Sequence, residues 1–284
     1  MKKIIFSFII FVILSLIAIL VVGKILAMPA HRTISTPTTD FNAEKVSITR
    51  RNQPPIAGWF LKNELSQPGI LLLHKLRSSR LGMIDRAKFL HKSGYNVLLI
   101  DFQGHGETFG KHITFGYLES FDAHSAFNYL KNRLVNQPIG VIGVSLGGVA
   151  ALIGKEPIPA EAIILESVFS TIDQAVKNRL VMRFGTYGQY FSPLLTWQID
   201  SLLGFPAKTI SPIDGISKVK SAVFIMSGSE DRRALLQETH SLYENANQPK
   251  MLWIVEGATH QNLHQYSTQA YEEKVLRFFD QHLN

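Results

Sequence analysis

The sequence predicts an α/β fold built on a mostly parallel, eight-stranded sheet with helices on both faces. Six short apolar runs are continuous rather than alternating, which is typical of strands buried on both sides. These runs are residues 70–73, 97–100, 139–144, 162–165, 222–226 and 251–255. Stretches with apolar residues at helical spacing lie between them, at residues 85–92, 119–134, 146–153, 233–246 and 266–283. This alternation of strands and helices indicates a doubly wound sheet.

The two remaining strands precede the parallel ones. Residues 46–49 alternate between apolar and polar, and Pro54-Pro55 turns the chain into a second run at 56–61. We expect these strands to form an antiparallel hairpin at one edge of the sheet. The longest interruption of the pattern, about residues 171–209, is rich in Leu, Phe, Tyr and Trp but has no strand pattern. We interpret it as a helical lid insertion.

The N-terminus predicts a membrane anchor. Lys2 and Lys3 are followed by residues 4–22, which are apolar apart from two serines. A helix of that length extends roughly 28 Å, enough to cross the hydrocarbon core of a bilayer. The sequence thus predicts one transmembrane helix within residues 1–27. The leading lysines favour a cytoplasmic N-terminus, which would place the main domain outside the cytoplasm. The alternative is a cleaved signal peptide and a secreted or periplasmic protein.

The domain organisation follows from that assignment. Residues 28–44, rich in Pro, Thr and Ser, are interpreted as a linker, and residues 45–284 as the main α/β domain. Because the predicted strands and helices of this domain all lie beyond residue 44, we expect its function not to depend on the N-terminal helix.

Composition excludes several classes of function. The 284-residue chain contains no cysteine, which excludes disulfides, thiolate catalysis and zinc–thiolate sites. Its formal net charge is +7, but the basic residues form no long stripe, so a nucleic-acid partner is not expected. The histidines lack a paired spacing such as H-E-x-x-H, and neither a metal nor a cofactor is predicted. The sequence leaves the oligomeric state open.

A candidate nucleophile lies in the motif Gly143-Val144-Ser145-Leu146-Gly147, which matches G-x-S-x-G. The motif follows a predicted strand and precedes a predicted helix, which is the context that a nucleophile elbow requires. In such a turn the serine hydroxyl stands exposed above the sheet. Ser145 is therefore the predicted nucleophile.

Five ordered motifs resemble the α/β-hydrolase superfamily, and most closely its serine-aminopeptidase-like and dipeptidyl-peptidase-like branch. They are His74 with Ser79-Arg80, the Asp101-Phe102-Gln103-Gly104-His105-Gly106 turn within residues 94–107, the Ser145 elbow, Ser211-Pro212-Ile213-Asp214 with Gly228-Ser229-Glu230-Asp231, and Gly257-Ala258-Thr259-His260. The resemblance covers about residue 45 to the end. It implies the α/β-hydrolase fold, and it implies a structural role for the 101–106 turn.

The resemblance also implies the remaining catalytic roles. In this superfamily the triad follows the chain order Ser, Asp or Glu, His, which assigns the acid to Asp231 and the general base to His260. Glu230 is the rival for the acid and His264 for the base. The oxyanion hole is expected from the N–H groups of Leu146 and Leu76.

The loop that carries Leu76 departs from the family pattern. The family usually has His-Gly where this chain has His74-Lys75. A glycine there could serve a positive φ that lysine would adopt only with strain. The sequence therefore does not predict the backbone conformation of this loop.

Together these features predict a serine hydrolase that cleaves an ester, thioester or amide through an acyl-enzyme on Ser145. An esterase or lipase-like enzyme acting on a small-molecule or lipid-like apolar acyl substrate is the first expectation. The alternatives are a peptidase, an acyltransferase with the same triad, and a catalytically silent membrane-anchored binding protein. The apolar residues of the insertion fit either a lid over an acyl pocket or simple packing on the sheet.

Overall fold

Eight strands form the central sheet of the structure, a computed structural model that describes residues 2–34, 43–50 and 53–283. A further two-stranded sheet lies beside it. In chain order the strands are β1 Ala30–His31, β2 Glu44–Arg50, β3 Gln53–Leu61, β4 Gly69–Leu73, β5 Asn96–Ile100, β6 His105–Gly106, β7 Ile139–Val144, β8 Ala162–Glu166, β9 Ala222–Gly228 and β10 Lys250–Val255.

The main sheet has the strand order β10-β9-β8-β7-β4-β5-β3-β2. Strands β4, β5 and β7 to β10 are parallel, whereas β3 pairs antiparallel with both β5 and β2. The predicted mostly parallel sheet with an antiparallel hairpin at one edge is confirmed. The parallel strands therefore bring their carboxyl ends to one edge of the sheet, where open α/β folds bind ligands.

Helices cover both faces of the sheet. They are α1 Lys2–Ala27, α2 Ile84–Lys92, α3 Tyr117–Arg133, α4 Leu146–Leu152, α5 Ile172–Phe184, α6 Ser192–Leu203, α7 Pro212–Ile216, α8 Leu236–Asn245, α9 Leu263–Tyr266 and α10 Thr268–Leu283. Successive residues of a strand serve opposite faces: Leu71 packs in the core with α3, α4 and α8, whereas Leu72 packs in the core with α2 and α10. The continuous apolar runs thus arise because both faces are buried.

The predicted insertion is helical. Between β8 and β9 the chain forms α5, a 3₁₀ segment at Thr186–Phe191, α6 and a second 3₁₀ segment at Ala207–Thr209. Several large apolar side chains here face solvent, with Tyr187 79% exposed and Trp197 61% exposed. Only part of the insertion therefore packs on the body.

The N-terminal helix α1 contacts α6 of the insertion. Within the described residues, no helix combines the length and apolar character that crossing a membrane would need. The predicted linker begins along the body: Ala30 N donates to Gly104 O (2.7 Å) and Arg32 N to Gly106 O (2.9 Å), which pairs β1 with β6. Residues 35–42 of that linker lie outside the described residues.

Candidate active site

Ser145 lies directly after β7, where the chain turns into α4. Its backbone has φ 51° and ψ −108°, a conformation that L residues rarely adopt and that usually marks a functional site. The turn is held by hydrogen bonds from Ser145 N to Glu166 O (2.8 Å) and from Val149 N to Ser145 O (3.0 Å). The strained turn is thus fixed by the neighbouring strand and the following helix.

The two glycines of the motif permit this turn. A Cβ on Gly143 would lie 2.6 Å from the Cα of Gly148, and a Cβ on Gly147 would lie 2.2 Å from the carbonyl oxygen of Leu73. Both distances are below any normal contact, so a side chain at either position would push α4 away from the sheet. The motif is therefore required sterically at this point of the fold.

His260 and Asp231 meet at the carboxyl ends of β10 and β9. His260 Nδ1 lies 2.8 Å from Asp231 Oδ2, while Asp231 Oδ1 accepts hydrogen bonds from the backbone N–H groups of Arg233 (2.8 Å) and Ala234 (3.0 Å). Burial alone would raise the pKa of Asp231. The hydrogen bond from His260 and those from the backbone outweigh burial, and the pKa lies below its usual value.

That carboxylate fixes the state of the imidazole. An ionised Asp231 can only accept, so Nδ1 of His260 carries the proton. Nε2 is then left as the basic nitrogen. In the described part of the chain neither this nitrogen nor Ser145 Oγ makes a hydrogen bond to another side chain.

The rival candidates are placed differently. Glu230 is exposed, and its backbone N–H donates to Ala258 O (2.9 Å). His264 is buried and its Nε2 pairs with Glu272 Oε1 at 2.8 Å. The acid that contacts His260 is therefore Asp231, and His264 is occupied by a different carboxylate.

The loop after β4 brings Leu76 to the same place. Leu76, Leu146 and Ser145 line one pocket. Lys75 is exposed and does not have a positive φ, whereas Arg77 does, at 56°. The departure from His-Gly thus leaves Lys75 in ordinary backbone geometry, and the left-handed residue of the loop lies two positions later.

His74 supports this loop through hydrogen bonds, a role that its motif did not reveal. Its Nε2 accepts the backbone N–H of Phe102 (3.1 Å), so the proton is on Nδ1, which donates to Lys75 O (2.8 Å). Burial, assisted by the neighbouring His105, lowers the pKa of His74 to about 3. The ring is neutral and serves as a bridge between two loops.

The turn at residues 101–106 is built around a buried carboxylate. Asp101 accepts the backbone N–H groups of Arg80 (2.7 Å) and Glu107 (2.9 Å), and it pairs with the Arg80 guanidinium. Gly106 has φ 50°, and a Cβ there would lie 2.3 Å from the carboxylate of Asp101. These contacts order the backbone around the site.

A largely apolar pocket of about 790 Å³, part of it open to solvent, adjoins Ser145. Its walls come from the Leu76 loop, from Phe115, from the insertion helices and from the end of α1. Arg179 is the one charged side chain among the described lining residues, and its Nη1 donates to Ala175 O (2.8 Å). The lining residues of the insertion are Ile172, Ala175, Val176, Arg179, Leu195, Gln198, Ile199, Leu202 and Leu203, and Phe169 lines the pocket just before it.

The contribution of α1 was not expected from the sequence. Gly23, Leu26 and Ala27 line the same pocket as Ser145. The apolar pattern of the segment was explained by membrane insertion alone, and no motif pointed to a second role. Among the described residues, no cluster of His, Asp and Glu is arranged to hold a metal ion.

Comparisons with known proteins show similarity to hydrolases. The profile of a family described as hydrolase 4, serine aminopeptidase S33, matches residues 67–202. An esterase from Pyrococcus furiosus, Pf2001, superposes with a TM-score of 0.71 at 25% identity, and covers 90% of this chain and 100% of its own.

Two curated sequences are also similar to this chain. An uncharacterised protein of Bacillus subtilis, YqkD, is 26% identical over 70% of this chain and 68% of its own length. The lysophosphatidylserine lipase ABHD12 of Danio rerio is 28% identical over 72% of this chain. The chain spans only about half of that lipase, 54% of its length.

Proposed function

The chain belongs to the α/β-hydrolase superfamily, and from this premise we propose that it is a serine hydrolase with the triad Ser145, His260 and Asp231. The observation that carries the proposal is the 2.8 Å contact between His260 Nδ1 and Asp231 Oδ2, at the sheet edge where Ser145 lies on its strained turn. A buried carboxylate that fixes the tautomer of a histidine is the arrangement that serine activation requires.

The proposed reaction is acyl transfer to water. Ser145 Oγ attacks the acyl carbon while its proton moves to Nε2 of His260, and the carbonyl oxygen becomes an oxyanion held by the N–H groups of Leu146 and Leu76. The intermediate expels the alcohol, which takes the proton from His260, and leaves an acyl-enzyme. Water then attacks the acyl carbon, with His260 as base, and Ser145 regains its proton as the carboxylic acid leaves.

The proposed substrate is an ester with an apolar acyl chain. The pocket beside Ser145 is lined mainly by Leu, Ile, Val, Ala and Phe, which favours a hydrocarbon chain over a polar group. The names of two similar proteins, an esterase and a lysophosphatidylserine lipase, point in the same direction. We infer a lipase-like or esterase activity, with acyl chain length set by the pocket.

Two measurements test the activity. A fluorescent fluorophosphonate should label the full-length chain, and Ser145→Ala should abolish labelling. A panel of p-nitrophenyl esters from acetate to palmitate should then show turnover that depends on chain length. Labelling of the wild type at another residue, or turnover that survives Ser145→Ala, contradicts the proposal.

We also propose that the N-terminal segment attaches the protein to a membrane, with the N-terminus cytoplasmic and the catalytic domain outside. The apolar run at residues 4–22 supports this, as do the exposed Phe6 and Ile17 of α1. The full-length protein should sediment with membranes, and protease added to intact spheroplasts should digest the body. A mature chain that begins near Met28 would indicate a cleaved signal instead.

A further inference from the structure

The end of α1 is fixed to the catalytic domain rather than free beside it. Ala27 is buried, and its carbonyl oxygen accepts the backbone N–H of Ile113 at 2.8 Å. Three residues later Ala30 begins the pairing of β1 with β6. The last turn of α1 therefore has a defined position relative to Ser145.

A side chain of the oxyanion loop holds the same turn. Arg77, next to Leu76, donates from Nη2 to Ile25 O (2.7 Å) and Leu26 O (3.2 Å). Carbonyl groups at a helix C-terminus lack partners within the helix and carry partial negative charge, which a guanidinium satisfies. The loop and the helix end are thus joined.

The lid contacts α1 from the other side. Gln198 of α6 is buried, and its Nε2 donates to Ile19 O at 3.2 Å. A Cβ on Gly23 would lie 2.0 Å from Gln198 Oε1, so a side chain at Gly23 would displace the amide of Gln198 from its present position. This contact places Gly23, Leu26 and Ala27 against the cavity.

We propose that the last turn of α1, residues 23–27, is a wall of the acyl-binding pocket and helps to determine which acyl chains are accepted. The inference deepens the proposed function and rests on it. This wall lines the same cavity as Ser145 and as Leu195 of the lid. A long chain that fills the cavity contacts Leu26, whereas an acetyl group on Ser145 leaves the wall untouched.

The cysteine-free chain permits a direct test. Leu26→Cys introduces the sole thiol at a position that is 42% exposed and therefore open to a water-soluble methanethiosulfonate reagent. Ile25→Cys is the matched control, because Ile25 is 52% exposed but does not line the cavity. Each full-length variant is first treated with a dodecyl or an ethyl fluorophosphonate, which remains covalently bound to Ser145.

We expect the dodecyl group to slow modification of Leu26→Cys by about tenfold or more, and the ethyl group to leave it unchanged. Ile25→Cys should react at the same rate in all states. Equal rates for Leu26→Cys with both phosphonates would overturn the inference alone. A chain that no phosphonate modifies would overturn the proposed function as well, so the two failures are distinguishable.

Chain-length kinetics provide a second measurement. In Leu26→Trp the indole should reduce kcat/KM for p-nitrophenyl laurate by about tenfold more than it reduces kcat/KM for p-nitrophenyl acetate. If this variant loses fluorophosphonate labelling through misfolding, Leu26→Ala takes its place, with an expected fall in the laurate-to-acetate ratio. A ratio equal to that of the wild type would contradict the proposed wall.

Discussion

The carboxyl edge of the sheet and the helices that enclose the pocket differ in how their residues are held. Asp231 and the backbone of Ser145 are buried and take part in hydrogen bonds that cross between strands and loops. The insertion that encloses the pocket, in contrast, leaves Tyr187 and Trp197 largely in solvent, and the side chains that it presents to the pocket are mostly apolar. Hydrogen bonds thus orient the side chains of the proposed reacting groups, whereas the walls present mostly apolar side chains to the pocket, even where hydrogen bonds hold their backbone as in α1.

The difference separates chemistry from selectivity. Catalytic groups must keep their geometry within fractions of an ångström, which hydrogen-bonded loops at strand ends provide. An apolar wall only has to exclude water and match a volume. We therefore expect substitutions at the sheet edge to abolish turnover for every substrate, and substitutions in the helices to change the preference among substrates.

The strongest test of this division is Ser145→Ala. Removal of the hydroxyl should lower kcat by about 10⁴-fold or more for short and long esters alike, because no other group forms the acyl-enzyme. The variant should retain the circular dichroism spectrum and Tm of the wild type. A loss confined to long-chain esters would contradict this division, because Ser145 would then affect selectivity rather than the chemical step.

The next largest effect is expected for Asp231→Asn. The amide cannot hold the proton of His260 on Nδ1 as the carboxylate does, and kcat/KM should fall by about 10³- to 10⁴-fold. Glu230→Gln is the matched control. Its side chain is exposed, so activity should change by less than about threefold. Equal losses for the two variants would show that the contact between Asp231 and His260 is not the catalytic one.

The sheet could be predicted from sequence because a buried parallel strand leaves a short, continuous apolar run. The edge hairpin was equally visible, since one face of β2 is solvated and its residues alternate. The candidate triad was implied by a family resemblance, carried by motifs that come after β7, β9 and β10. Each of these features can be recognised within a short segment of the sequence.

The pocket wall could not be predicted, because it depends on contacts between residues distant in the chain. Arg77 reaches Ile25 across 52 positions, and Gln198 reaches Ile19 across 179. An apolar helix at a chain end carries no mark of where it docks. The pairing of β1 with β6 was not predicted either, because two residues are too few to show an alternating pattern.

His74 offers a test at the boundary between the two regions, because it supports the loop of Leu76 but is not among the described residues that line the pocket. Its folded-state pKa of about 3 lies below the ordinary histidine value, so between those pH values the unfolded chain binds more protons than the folded one. The unfolding free energy should therefore fall as the pH drops below about 6.5. The slope approaches about 1.4 kcal/mol per pH unit for one proton.

Urea unfolding at pH 7 and pH 5 measures this contribution. His74→Gln should be less stable than the wild type at pH 7, but should lose about 2 kcal/mol less on going to pH 5. His240→Gln, which removes an exposed histidine, should follow the wild type. Parallel slopes for His74→Gln and the wild type would mean that folding does not lower the pKa of this ring.

The smallest effect is expected at Lys75, where the chain departs from the usual His-Gly. Because Lys75 has ordinary backbone geometry and an exposed side chain, glycine there relieves no strain and removes no contact. Lys75→Gly should lower stability slightly, by about 0.4–1 kcal/mol, through the greater entropy of the unfolded chain. By contrast, kcat/KM should stay within about threefold of the wild type. If the lysine were strained, the variant would instead melt at a higher temperature. Calorimetry and ester kinetics distinguish the two cases. A higher Tm with faster turnover would show that Lys75 strains the loop that carries Leu76, despite the hydrogen bonds of His74.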